Sequence, residues 1–134
     1  MRSYQKITVI RSRKPATGDL NEELRWFGSS LGLFSQRDKD RSCFRIFIEL
    51  VKSSRRKIPL SSDEIAYRAG LSRATVIHHL NKLMAAGIVV GERKKYILRV
   101  ENLGTLVDEI ELDLEAAFAD LREIAKAIDK ELGI

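Results

Sequence analysis

From Leu60 to Val89 the apolar positions keep a helical spacing, break once, and then resume it. Ser61 stands three residues before Glu64, so hydroxyl and carboxylate can satisfy each other's orphan backbone N–H groups and start a helix. Ile65, Ala66 and Ala69 line its inner face. Gly70 follows where the chain must bend sharply, a place that favours a residue tolerating positive φ. Ser72 caps a second helix, in which Val76, Leu80 and Leu83 recur at intervals of four and three and share one buried stripe. Beyond Gly87 the period becomes extended: Ile88-Val89-Val90, then Gly91-Glu92-Arg93-Lys94-Lys95, then Tyr96 to Val100, which predicts a hairpin with a basic tip. Two short helices at a tight corner with a hairpin behind them spell a winged helix-turn-helix, and the expected fold is mainly α with a small β-hairpin wing.

The buried stripe of the second helix fixes what its other face presents. Ala74, Ile77, His78 and Asn81 point outward, with Arg73 and Thr75 in the first turn and Lys82 on the flank. Small, hydrogen-bonding and cationic groups at the start of an exposed helix face suit reading of a DNA major groove. Arg73, Ala74, Ile77, His78 and Asn81 are the candidate base readers. Ser72, Thr75, Lys82, Arg93, Lys94 and Lys95 are the candidate phosphate contacts, the last three from the wing tip. The bland reading is a helical hairpin with a merely solvated face.

Residues 101–134 carry a different pattern. Val107, Leu114, Leu121 and Ile128 fall every seven residues, with Ile110, Ala117 and Ile124 between them and Phe118, Ala125 and Leu132 alongside. A stripe of this length suits a helix that pairs with another helix. From Gly104 to Leu132 it would run about 43 Å, longer than a domain of this size needs for its own core. Val107, Ile110, Leu114, Ala117, Phe118, Leu121, Ile124 and Ile128 are therefore expected at a homodimer interface. The alternative is that the helix folds back on its own domain.

Upstream, Tyr4 to Ile10 alternates as a short strand would, with Ile7 and Val9 on one face, and Arg11-Ser12-Arg13-Lys14-Pro15 follows as a basic turn. Asp19 and Glu22 form a second capping box ahead of Leu20, Leu24, Phe27 and Leu31, in a helix that Gly28 and Gly32 weaken and that is expected to end near Leu33. Arg37 to Arg41 reads as a solvated charge cluster. Cys43 to Lys52 then makes a helix with Phe44, Phe47, Ile48 and Val51 inward, and the basic run Lys52 to Lys57 joins it to Ile58 and Leu60. The expected organisation is an amino-terminal strand and helix extension (1–36), a winged helix-turn-helix (37–100) and a carboxy-terminal dimerisation helix (101–134).

The run SSDEIAYRAGLSRATVIHHLNKLMAAGIVV with its GERKKY hairpin resembles the winged helix-turn-helix of small prokaryotic transcriptional regulators, above all the ArsR-like regulators of archaea. The similarity extends upstream into NEELRWFGSSLGLFSQRDKDRSCFRIFIELVK and downstream into the acidic, heptad-patterned tail, and so covers most of the chain. It implies a DNA-binding regulator. It does not extend to the paired-cysteine motif of the metal-sensing members, since residues 60–86 contain no cysteine.

Charge sharpens this picture. The net charge is +5, but residues 1–100 hold 21 Lys and Arg against 9 Asp and Glu, whereas residues 101–134 hold 3 against 10. Only the first part would attract a polyanion. At 134 residues the chain is one domain's worth. The single Cys43 allows no internal disulfide, and neither a signal peptide nor an apolar stretch of membrane-spanning length is evident, so a cytoplasmic protein is expected. His78 and His79 diverge by about 100° on a helix and do not converge on one metal ion. No phosphate cradle, HExxH or Ser-His-Asp pattern gives an enzyme reading any chemistry to attach to, and no cofactor is expected. The sequence thus reads as a homodimeric regulator binding double-stranded DNA. Its rivals are a winged-helix protein-interaction module of a transcription or RNA-processing assembly, and a sensor in which Trp26, Phe27 and Phe34 line a small-molecule pocket.

Overall fold

The computed structural model describes residues 4–16, 18–34 and 41–134. Five helices and three short strands follow in the order α1 (Leu20–Ser30), α2 (Ser42–Arg55), β1 (Leu60–Ser61), α3 (Ser62–Ala69), α4 (Arg73–Ala85), β2 (Val89–Glu92), β3 (Lys95–Leu98) and α5 (Leu103–Leu132). The strands form one antiparallel sheet in the order β1-β3-β2. Leu60 pairs with Tyr96 on one side of β3, and Val89 pairs with Leu98 on the other.

Helix α2 is the centre of the packing. Ile46, Phe47 and Leu50 are fully buried beneath α3, α4 and the sheet, with Ile65, Val76 and Leu83 facing them. Its inner face is thus centred on Cys43, Ile46, Phe47 and Leu50, whereas Ile48 and Val51 are only half-buried. The helix also runs to Arg55 instead of giving way to a loop after Lys52. The reason is tertiary. Ser53 and Ser54 are small enough for β3 to close over them, and the Ser54 hydroxyl accepts a hydrogen bond from the Leu98 N–H at 3.0 Å. A buried strand N–H is satisfied in this way by a side chain that the sequence pattern assigns to a basic surface run. The charge cluster expected at 37–41 lies, apart from Arg41, outside the described residues.

Asp19 caps α1, accepting from the N–H groups of Asn21 and Glu22, without the return bond from Glu22 that a capping box requires, and the helix stops at Ser30. The chain then turns through Gly32 at φ +73° and brings Phe34 back onto the helix. The Phe34 ring lies edge-on to Phe44 and Phe47, and Phe27 stacks on Phe47. These rings pack against one another, and Trp26 donates its indole N–H to the Ser12 hydroxyl at 3.1 Å. A Cβ at Gly28 would come 2.0 Å from the Phe34 ring. Gly28→Ala should therefore overpack this cluster and cost about 1–3 kcal/mol, read as a lower urea midpoint at unchanged slope.

The segment Tyr4 to Ile10 forms no strand and joins no sheet. It runs as a strap, its Lys6 N–H donating to the Ala85 carbonyl at 2.9 Å and its Ile10 N–H to the Ser30 carbonyl at 2.7 Å. Ile7 packs on the core while Val9 is exposed, so the two do not share a buried face.

Helix α5 has 30 residues and spans about 45 Å. Asn102 caps it, accepting from the Thr105 N–H at 2.8 Å. Leu106 and Ile110 are buried in the chain's own core, and Leu114 and Ala117 are half-buried beside it. From Phe118 onward every residue is exposed. Of the residues expected at an interface, Ile110 is only 5% exposed within its own domain, because the first turns of the helix serve the body. The apolar stripe nevertheless continues along the same side of the helix through Leu121, Ile124, Ile128 and Leu132, where none of the described residues covers it. Among the described residues no helix is long and apolar enough to cross a membrane.

Candidate nucleic-acid interface

The corner between α3 and α4 is built from local signals. The Ser61 hydroxyl accepts from the Glu64 N–H at 3.1 Å, and the Glu64 carboxylate accepts from the Ser61 N–H at 3.0 Å, completing the capping box. The bond from the Ser61 backbone, followed by that from its hydroxyl, holds the Glu64 carboxyl below its ordinary range, with Lys95 and Arg68 adding to the effect. A carboxyl lowered in the folded state contributes stability above its unfolded titration range and loses it as pH falls, so this cap weakens in acid. Gly70 takes φ +67°, and the Arg45 guanidinium donates to its carbonyl at 3.3 Å, tying α2 to the turn.

Ser72 then caps α4. Its oxygen accepts from the Thr75 N–H at 3.1 Å, and it lies 2.8 Å from the Thr75 hydroxyl. The Ser72 hydroxyl thereby holds the helix start while Ser72 itself stays exposed beside the first turn. Val76, Leu80 and Leu83 are buried. Arg73, Ala74, His78 and Asn81 are exposed, Ile77 is half-buried between them, and Lys82 is exposed on the flank. His78 rests edge-on against His79, ring centroids 5.3 Å apart.

The wing is a two-residue hairpin. Glu92 pairs with Lys95, and Arg93 and Lys94 form the tip with φ of +53° and +63°. Two successive residues at positive φ make a type I′ turn, whose twist suits a hairpin and whose usual occupants are Asn and Gly. Here both are long cations. A non-glycine residue in this region costs about 1–2 kcal/mol, so the tip holds its two charges at the expense of stability.

Two carboxylates accompany these cations. Arg73 pairs with Asp63 at 3.6 Å, both side chains being largely exposed, and Lys95 acts on Glu64. Arg73 at the start of α4 and Lys95 at the wing thus flank the same first turn of α3. Sequence spacing marks Glu64 as a capping residue but does not announce this proximity. A pair so exposed is worth little and yields readily to a stronger anion.

Away from α4's exposed face, a polar joint ties four segments together. Arg99, at the end of the wing, donates to both oxygens of Asp113 on α5, at 3.2 Å to Oδ1, and meets Glu109 at 3.0 Å. The hydrogen bond to Asp113, above the other contributions, holds the Arg99 guanidinium charged. Gln5 of the strap donates to Asp113 at 2.9 Å and to the Ala86 carbonyl at 3.1 Å. Nothing in the sequence pattern singles these residues out. Their effect is to set the direction in which α5 leaves the domain.

Residues 54–90, from the last turn of α2 to the first residues of the wing, match the family model described as "Bacterial regulatory protein, arsR family". That segment is an ArsR-like helix-turn-helix, and the three-stranded sheet and long last helix around it fit a winged-helix architecture. No curated protein and no solved structure matches the chain.

Proposed function

We propose that this chain is a transcriptional regulator that binds double-stranded DNA sequence-specifically as a homodimer. The observation that carries the reading is a coincidence of two independent facts: the ArsR-family match falls on residues 54–90, and within it the exposed face of α4 carries Arg73, His78 and Asn81. In this reading residues 37–100 are the reading head. Helix α4 enters the major groove, where Arg73, Ala74, Ile77, His78 and Asn81 meet base edges, while Ser72, Thr75, Lys82 and the wing cations Arg93, Lys94 and Lys95 hold the backbone. The uncovered stripe of α5 pairs with that of a second copy and gives two heads for two half-sites.

The division between reading and anchoring is testable. Arg73→Ala and Asn81→Ala should each weaken binding to the preferred site by about 1–3 kcal/mol, with a smaller loss on random duplex. Lys94→Ala and Lys95→Ala should weaken all duplexes alike and lower the salt slope by about one unit for each phosphate contact removed. Fluorescence anisotropy over a range of salt concentrations, on a site selected from a random pool, checks both. Identical sequence profiles for Arg73→Ala and Lys94→Ala would remove the base-reading role, and failure of the pool to yield any preferred site would remove sequence specificity.

A further inference from the structure

Beneath the amino-terminal strap lies a cavity of about 150 Å³, bounded by Lys6 and Thr8 of the strap, Leu33 and Cys43 around the entry to α2, and Lys82 and Leu83 of α4. Its floor is fixed: Leu33, Cys43 and Leu83 are almost wholly buried. Lys6 of the strap and Lys82 of α4, both exposed, are the charged residues that line the cavity, and no carboxylate among the described residues does. Neither Lys6 nor Lys82 has an ion-pair partner among the described residues. The Lys6 N–H donates to the Ala85 carbonyl here, and the Gln5 side-chain amide donates to the Ala86 carbonyl beside it.

The geometry points to a binding site for a small amphipathic carboxylate, one ring or short chain in size, seated with its apolar body on Leu33, Cys43 and Leu83 and its charge between Lys6 and Lys82. An apolar cavity of about this volume accommodates a single aromatic ring. A monoanion entering it meets two ammonium groups and no opposing charge, and a charge-assisted contact is stronger than a neutral one. Because Lys82 belongs to α4, occupancy also draws one of the proposed phosphate contacts away from the duplex. That last consequence rests on the DNA-binding reading, whereas the cavity and its chemistry do not.

The test uses the full chain and benzoate as the probe, with sodium chloride at equal ionic strength as the reference. Benzoate is expected to raise the melting temperature, with a dissociation constant on the order of 1 mM. It should shift the amide resonances of Thr8, Leu33 and Leu83. Lys6→Gln and Lys82→Gln should each weaken it about five-fold, and benzyl alcohol should bind about ten-fold more weakly than benzoate, as expected when a charged contact is lost. Equal binding of benzoate by the wild type and both variants overturns the site. So does benzyl alcohol matching benzoate, or the absence of resonance changes at Thr8, Leu33 and Leu83. Saturating benzoate should also loosen duplex binding several-fold in the wild type and less in Lys6→Gln. If benzoate binds as described and duplex affinity stays constant, the site stands and its coupling to Lys82 is overturned.

Discussion

Replacing Leu121 and Ile128 together by Asp is expected to turn a dimer into a folded monomer and to lower affinity for a two-half-site duplex by about two to four orders of magnitude. Both residues stand on the overhanging part of α5, 62% and 51% exposed in the single chain, with Ile124 between them at 58% and Leu132 beyond at 68%. An apolar stripe so exposed on a helix that has left its own domain is costly in water. A free helical extension of about fifteen residues is also marginal on its own. A second copy covering the stripe resolves both, and an aspartate buried in that seam without a partner costs several kcal/mol. Since neither side chain touches the core, the substitutions should leave the domain's unfolding transition in place while the tail loses part of its helical signal. Binding to a single half-site should change little, because only the second contact depends on effective concentration. Sedimentation velocity decides the matter. A double variant still at twice the chain mass would move the dimer contact elsewhere, and a variant with no folded domain would return the tail to the core.

What the sequence makes legible here is what local chemistry determines. Ser61 with Glu64, Gly70 at the corner and Ser72 before α4 each act within four residues, and each takes the conformation its side chain favours. The hairpin is readable for the same reason. The strap is not, because alternation in Tyr4 to Ile10 describes an extended chain but does not say whether a strand edge is available to it; here β1 and β2 flank β3, and the strap instead finds the carbonyls of Ala85 and Ser30. Nor is the burial of Ser53 and Ser54, which depends on where β3 lands. On α5 one periodicity serves two purposes. Leu106 and Ile110 face the body and Leu121 and Ile128 face open solvent from the same side of one helix, so no pattern along the chain marks where the domain ends and the overhang begins. The proposed site divides similarly: the outward face of α4 follows from its buried stripe, while the pairing of Arg73 with Asp63 and the joint of Gln5, Arg99 and Asp113 arise only from tertiary approach.

The tip of the wing should show opposite effects on stability and on binding. Exchanging Arg93-Lys94 for Asn-Gly puts the preferred residues into a turn whose two central φ angles are +53° and +63°. The relief of two strained positions, less the extra freedom glycine has in the unfolded chain, is expected to stabilise the protein by about 1–2 kcal/mol. The same exchange removes two cations, and if both meet phosphates the slope of log affinity against log salt should fall by about two units, with affinity at low salt down about 10- to 100-fold on every duplex. Arg93→Gln with Lys94→Gln separates the causes. It removes the charges but leaves long side chains at positive φ, so it should reproduce the loss of DNA binding with no gain in stability. Urea unfolding measured beside salt-dependent anisotropy for the two double variants gives all four numbers. Should Asn-Gly bind duplex as tightly as the natural tip, Arg93 and Lys94 are no phosphate anchors. Equal urea midpoints for the natural tip and Asn-Gly would mean that the left-handed conformation of Arg93 and Lys94 stores no strain, and the trade between stability and charge at the wing would have to be abandoned.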